Sequence, residues 1–459
     1  MYHDVAQLKL CHIRFGQKPL QLQIEKLVYG GDGLARLPAD EHGRGKAVFV
    51  PFVIPAENVE ASLIESRGGF SRAKLDRVLA PSPQRVEPLC PYFGRCGGCN
   101  YQHMEYAAQL RFKAEILRET LRRTAKLDLQ QEIALHASEP WAYRNRTRMQ
   151  VRHEPQFALG YFRYSSHSLL PVETCPISSA LINEAIRWTW QLGSDGRVPT
   201  SLHGLQFFAN QEDSKLLVEA YVHPSNDAKE CQPFGAELRH SIPQLVGIVV
   251  FPTSAVEDDS RQRTSLTSTH AELSQVIGES SLSYEVAGAD YRVSGGSFFQ
   301  TNRYLIDKLV NVVVGARTGR AALDLYAGAG LFTQNLARNF DHVIAVEASP
   351  HSFADLRHNV AVNVRCVRMM TEAFLAERAA KLAPDLVVLD PPRAGLGEKA
   401  TKALCRMSAP HVTYVSCDPA TLSRDLRVLL ESGYRVEQAH LVDLFPQTYH
   451  METVLHLVR

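Results

Sequence analysis

Four apolar runs in the last third of the chain, Ala321-Ala-Leu-Asp-Leu-Tyr326, Val343-Ile-Ala-Val346, Leu386-Val-Val-Leu389 and Val412-Thr-Tyr-Val415, alternate with segments of helical spacing. Runs this continuous suit strands buried on both faces, and parallel strands need crossovers long enough to hold a helix. Residues 286–459 therefore read as a Rossmann-like, doubly wound α/β domain. Ligands bind such sheets just outside the carboxyl ends of the strands. The residues that follow each run are the first candidates for a site.

Asp324-Leu-Tyr-Ala-Gly-Ala-Gly-Leu-Phe332 puts a tight glycine turn between a strand and a helix, where the backbone can approach a ligand closely. Glu347 ends the next run 19 positions after Gly328, a spacing that suits a carboxylate accepting from ribose hydroxyls. A dinucleotide and S-adenosylmethionine both offer that ribose, and the loop does not choose between them. Asp390-Pro-Pro-Arg393 follows a buried run, and its prolines stiffen the turn that holds Asp390. Val415-Ser-Cys-Asp-Pro419 repeats the arrangement with Cys417 at the strand tip, and the helix start beyond it is expected to favour the thiolate. Glu452, in His450-Met-Glu-Thr-Val454, is a possible base, although an isolated glutamate is more often a surface residue.

A chain of 459 residues implies more than one domain, and 45% apolar with 22% charged residues excludes fibrous and wholly disordered classes. No apolar run reaches the length of a spanning helix and the first 20 residues lack an apolar signal core, so the expected location is cytoplasmic. The charge is uneven, at +7 over residues 1–152 and −6 over the remainder. A mildly basic front is compatible with phosphate contacts. Residues 20–79 show short alternating runs around Gly30-Gly-Asp-Gly33, as in a small OB-like β-barrel of the kind that often binds oligonucleotides. Prolines 81, 83, 88 and 91 mark a boundary near residue 80, and residues 106–126 have the spacing of one helix. Residues 253–281, rich in Ser, Thr, Asp and Glu, suggest a polar excursion.

Nine cysteines without a secretion signal point to metal binding or catalysis ahead of disulfides. Cys90-x5-Cys96-x2-Cys99 with a solitary Cys175 fits Zn²⁺ or a [4Fe–4S] cluster, and the distant fourth cysteine tilts the choice towards iron–sulfur. A radical S-adenosylmethionine enzyme typically carries a Cys-x3-Cys-x2-Cys run and leaves one iron open, which this spacing does not match. Cys11, Cys231, Cys366 and Cys405 have no partners at diagnostic spacings. In Trp141-Ala-Tyr-Arg-Asn-Arg-Thr-Arg148, alternating arginines and aromatics are candidate RNA contacts, but alternation also describes an ordinary strand.

Phe298-Phe-Gln-Thr-Asn302, DLYAGAGLF from Asp324, LDPPRAG from Leu389, VSCDPATLSRDL from Val415 and His450-Met-Glu452 together resemble the RNA uracil-5-methyltransferase family. The likeness covers nearly the whole chain, with GGDGLAR from Gly30 and FVPFVIPAE from Phe49 similar to a TRAM domain. It implies a TRAM β-barrel over 14–79, a central mixed α+β iron–sulfur domain over 80–285, whose helix over 104–126 would pack on the catalytic domain, and a methyltransferase domain over 286–459. By resemblance, Cys417 is the nucleophile that adds to uracil carbon 6 and Glu452 the base that removes the carbon 5 proton. Gln300, Tyr326, Glu347 and Asp390 match positions that bind S-adenosylmethionine, and Cys90, Cys96, Cys99 and Cys175 match ligands of a [4Fe–4S] cluster without redox chemistry in turnover. Thr301 and Met451 stand where relatives more often carry an aliphatic residue. The expectation is 5-methyluridine formation in 23S rRNA, with tRNA as the other substrate and a non-catalytic RNA-binding or assembly factor as the alternative class.

Overall fold

The computed structural model describes residues 19–38, 45–224, 228–252 and 273–459. Cys11 and positions 253–272 of the polar stretch lie outside them. The chain divides into two compact units. The first comprises residues 1–94, 99–116 and 447–449, and the second residues 95–98, 117–446 and 450–459.

In the first unit a six-stranded sheet runs in the order Leu20–Gln23, Asn58–Ser66, Phe70–Ala80, Ala47–Pro51, Asp32–Arg36 and Lys26–Leu27. Alternation sends Leu22, Val48, Val50, Val59, Ala61 and Ala73 to one shared core. Gly33 is needed there, because a Cβ would sit 2.3 Å from Val53 Cγ2. Glu57, fully buried, accepts from both Arg85 Nε at 2.6 Å and Nη2 at 2.7 Å, which pins the proline segment after the last strand. Burial alone would raise the Glu57 carboxyl, but the hydrogen bond from Arg85 and the Ile54 and Ser82 amides outweigh it and lower it.

The second unit holds two large sheets. One has seven strands in the order Leu169–Pro171, Ala158–Phe162, Arg146–Arg152, Leu202–Ala209, Leu216–Val222, Leu245–Pro252 and Gln275–Gly278. All its pairings are antiparallel except the one between Leu216–Val222 and Leu245–Pro252. The other has eight strands: β1 (Ile133–His136), β2 (Gly319–Leu325), β3 (Phe340–Glu347), β4 (Val364–Arg368), β5 (Leu386–Leu389), β6 (His411–Ser416), β7 (Arg435–Val442) and β8 (Glu452–Val458). Its order is β4-β3-β2-β5-β6-β8-β7-β1. The first five are parallel, with crossover helices α1 (Leu331–Asn339), α2 (Pro350–Asn359), α3 (Thr371–Arg378) and α4 (Glu398–Cys405) between them. Helix α5 (Pro419–Glu431) follows β6, and β8 then inserts antiparallel between β6 and β7.

Strand β1 comes from far upstream and completes the sheet beside β7. It follows the helix Tyr106–Thr120 and a π-helical turn over Leu121–Ala125, and that turn packs its buried Leu121 and Ala125 against α5. One core joins the two sheets, running from Phe208 and Leu217 through Tyr284, Tyr291 and Phe299 to Leu309, Phe332, Val388 and Val454. Among the described residues no helix is long and apolar enough to cross a membrane.

Candidate active site

The carboxyl ends of β2, β3, β5 and β6 lie side by side, since Leu325 pairs with both Val346 and Leu389, and Leu389 pairs with Tyr414. Strand β8 runs the other way, with Thr453 opposite Ser416, so its first residue reaches the same edge. Asp390, Cys417 and Glu452 are thereby gathered from three neighbouring strands, although the last two are 35 positions apart in the chain.

The turn after β2 is built from left-handed backbone, with φ of 61° at Tyr326, 56° at Gly328 and 94° at Gly330. Glu347 closes it, accepting from the Gly328 amide at 2.8 Å and the Ser349 amide at 2.6 Å. Burial raises the Glu347 carboxyl against the pull of these amides. Tyr326 donates its hydroxyl to Glu372 at 2.7 Å. Asp324 is fully buried beneath the turn and accepts from Thr333, while its Oδ1 has no hydrogen-bond partner among the described residues. Burial, with Asp390 and Glu347 nearby, pushes it up to about 7. Burial likewise pushes Asp390 up to about 7.

Cys417 overturns the expectation of a favoured thiolate. Its thiol is pushed up to about 12, first by burial and then by the charges of Glu452 and Asp390, with Arg393 opposing. The helix start beyond it is already taken. Asp418 caps α5, its carboxylate accepting from the Ala420 amide at 2.9 Å and the Thr421 amide at 3.0 Å. The field that would stabilise a thiolate is spent on a fixed carboxylate that itself repels one. Glu452 is 3% exposed, with Oε1 lacking a hydrogen-bond partner among the described residues. Burial and then Asp390 raise its carboxyl well above the usual range, and Arg393 opposes. Arg393 is the cation common to both groups. It stood beside Asp390 in the Pro-Pro-Arg motif, and that adjacency was the signal that could have singled it out.

Gln300 enters by another route, 6% exposed on the segment after the strand Ala289–Ser294. That segment is held by Arg146, which donates to the Ser297 carbonyl at 2.6 Å and to Glu219 at 2.7 Å, while Glu219 also accepts from the Gly296 amide at 3.2 Å. Asp355 adds bonds to the Ser294 amide at 2.8 Å and the Ser297 hydroxyl at 2.6 Å. Of the candidate RNA contacts over residues 141–148, Arg146 is thereby corrected to an internal anchor. Arg146 is buried, and the Arg148 guanidinium lies 3.8 Å from the Tyr221 ring centroid. Phe298 remains 53% exposed beside Gln300.

Among the described residues no group of three or more His, Cys, Asp or Glu side chains is arranged to hold a metal ion, so the geometry does not support the expected iron–sulfur cluster on Cys90, Cys96, Cys99 and Cys175. Cys90 and Cys99 belong to the first unit, and Cys96 and Cys175 to the second. Within the second, Cys96 Sγ accepts from the Gly98 amide at 3.4 Å and Asn183 ties both the amide and the carbonyl of Cys175. Burial and then Cys175, with Cys96 adding to it, raise the Tyr161 hydroxyl.

A glycine turn ahead of α1, an acid closing it from β3 and a buried cysteine at the tip of β6 share one edge of the doubly wound sheet, an arrangement suited to a cofactor with an adenosine ribose. Residues 105–459 match the family described as tRNA (uracil-5-)-methyltransferase, and the chain belongs to that family. It is 31% identical over 443 residues to an uncharacterised RNA methyltransferase of Aquifex aeolicus, covering 95% of this chain and 98% of that one. It is 30% identical to a 23S rRNA (uracil(1939)-C(5))-methyltransferase of Shewanella amazonensis, covering 94% of each. The solved structure of a Pyrococcus abyssi tRNA (uracil-54, C5)-methyltransferase with S-adenosyl-L-homocysteine has the same fold. Its TM-score is 0.73 at 23% identity, over 96% of this chain and 100% of that one.

Proposed function

We propose that this protein transfers a methyl group from S-adenosylmethionine to carbon 5 of a uridine in 23S rRNA through a covalent Cys417 adduct. The observation that carries this reading is the convergence of Cys417, Glu452 and Asp390 on one sheet edge, with a buried glutamate oxygen left unmatched. Carbon 5 of neutral uracil is a poor nucleophile. The Cys417 thiol gives its proton to solvent as its sulfur adds to carbon 6, forming a C–S bond and moving the ring electrons into an enolate, whose carbon 5 is nucleophilic. S-adenosylmethionine, when bound, supplies the methyl group on a sulfonium sulfur. Glu452 then takes the carbon 5 proton, the ring double bond re-forms and the thiolate leaves.

Glu347 suits the ribose hydroxyls, while Gln300, Tyr326 and Asp390 hold the remainder of the cofactor beside the glycine turn. A uridine inside a helix cannot reach Cys417, so the target is unpaired or flipped out. Residues 14–79 form the RNA-binding TRAM domain ahead of a central domain over 80–285 and the catalytic domain over 286–459. A [4Fe–4S] cluster on the four cysteines is supported by spacing and resemblance alone; no step depends on it, and iron and labile sulfide in anaerobically purified protein test it.

The functional test supplies labelled S-adenosylmethionine with unmodified 23S rRNA and tRNA in parallel. Expected is 5-methyluridine at one rRNA position, its loss in Cys417→Ala, and a Cys417-dependent adduct with 5-fluorouridine RNA. Methylation of tRNA alone would move the substrate to tRNA. Methylation at another atom would overturn the Cys417 mechanism, and no transfer to either RNA would favour a binding factor.

A further inference from the structure

Helix α5 carries a second carboxylate that the mechanism above does not use. Asp425 lies two turns beyond Cys417, on the face shared with the apolar Leu422 and Leu426, and it is fully buried. A charge survives there only if its oxygens are matched, and here they are matched by one particular segment. Oδ2 accepts from the Leu396 amide at 2.7 Å and from the Tyr414 hydroxyl at 2.8 Å, and Oδ1 accepts from the Gly397 amide at 3.2 Å and from Arg424 Nε at 2.9 Å. Two further bonds fasten the same segment to the same helix, from Thr421 Oγ1 to the Arg393 carbonyl at 3.0 Å and from Arg424 Nη2 to the Ala394 carbonyl at 2.8 Å. Residues 390–397 are the loop of Asp390 and Arg393, and the fit is close. A Cβ on Gly395, whose φ is +71°, would lie 2.6 Å from Asp425 Oδ2.

We propose that Asp425 is a positioning residue for methyl transfer, clamping the 390–397 loop to the helix that follows Cys417 and so fixing Asp390 and Arg393 relative to the thiol. The proposal rests on the function proposed above. Tyr414 joins the clamp from the strand side, its hydroxyl donating to Asp425 and accepting from the Leu396 amide at 3.3 Å.

The experiment measures single-turnover methyl transfer per active site, with sites counted by trapping on 5-fluorouridine RNA. Asp425→Asn keeps the volume but turns an amide NH₂ towards one of the donors. Its rate per trapped site is expected to fall about a hundredfold, the usual cost of a misplacement near 1 Å. Gly395→Ala, which presses the loop off the carboxylate from the other side, is expected to fall comparably, and Tyr414→Phe, which removes one donor to Asp425 and one acceptor of the Leu396 amide but leaves both loop amides bonded to the carboxylate, to fall by less than either. A merely structural role would lower the melting temperature and the trapped fraction without changing the rate per site. That pattern, or unchanged rates in both Asp425→Asn and Gly395→Ala, overturns the proposal. Activity in Cys417→Ala would instead overturn the functional reading on which it rests.

Discussion

The state of Cys417 before RNA arrives is open to direct measurement. Its thiol stands at about 12 against an ordinary value of 9.0. At a pH well below both values, that difference leaves about a thousandfold fewer thiolates, or about 4 kcal/mol of disfavoured ionisation. Iodoacetamide labelling of the Cys417 peptide, followed by mass spectrometry on protein free of RNA and S-adenosylmethionine, reads this population. The labelling rate should climb about tenfold per pH unit from 7 to 10 without levelling, because only the thiolate reacts. Restricted access to the buried sulfur would scale every point equally and leave that slope intact. Glu452→Gln removes the strongest repelling charge and should raise labelling at pH 8 by at least about tenfold. Levelling of the rate between pH 9 and 10 or below, or no gain in the glutamine variant, would refute the assignment of burial and neighbouring carboxylates as the cause.

Three shorter expectations follow from the same geometry. Because Glu452 is the proposed base, Glu452→Gln should accumulate the methylated, protein-bound RNA adduct on denaturing gels while product release falls by about 10²-fold or more. Asp390 has a folded value near 7 against 3.8, so its burial contributes stability below the lower value that is lost as pH rises through the upper one; Asp390→Asn should therefore raise Tm at pH 8, with the gain absent at pH 3.5. Arg146→Ala should cost about 3 to 5 kcal/mol in urea unfolding by stranding buried Glu219, while the salt dependence of RNA binding by the folded fraction stays unchanged.

What could be read in advance depended on whether the deciding contact was local. The parallel strands announced themselves through runs such as Leu386-Val-Val-Leu389, and the glycine turn with Glu347 19 positions on carried its own spacing. Cys417 was legible as a strand-tip residue because strand and proline turn adjoin it. Its protonation was not, because Asp418 caps the helix against it and Glu452 arrives from an antiparallel strand that sequence order does not place. Glu452 itself looked like a surface residue until β8 was seen between β6 and β7. Arg146 shows the opposite error. An arginine in an alternating strand suggested an exposed face, but its partner Glu219 lies 73 positions away and pulls it inside. Asp425 had a signal that went unused, an acid among the leucines of a helix otherwise patterned for burial.

The anchor formed by Arg146 and Glu219 also limits how this architecture can be cut or exchanged. A fragment starting at residue 286 would contain every proposed catalytic and cofactor residue, yet it would leave the Ser297 carbonyl and the Gly296 amide without the partners that shape the Gln300 segment. It would lose β1 as well, baring the edge of β7 to pairing with other chains. The second unit is not a simple C-terminal piece either, since it takes residues 95–98 from upstream and gives up 447–449 to the first. The seven-stranded sheet travels with the chemistry, as a mould in which the catalytic loops are cast.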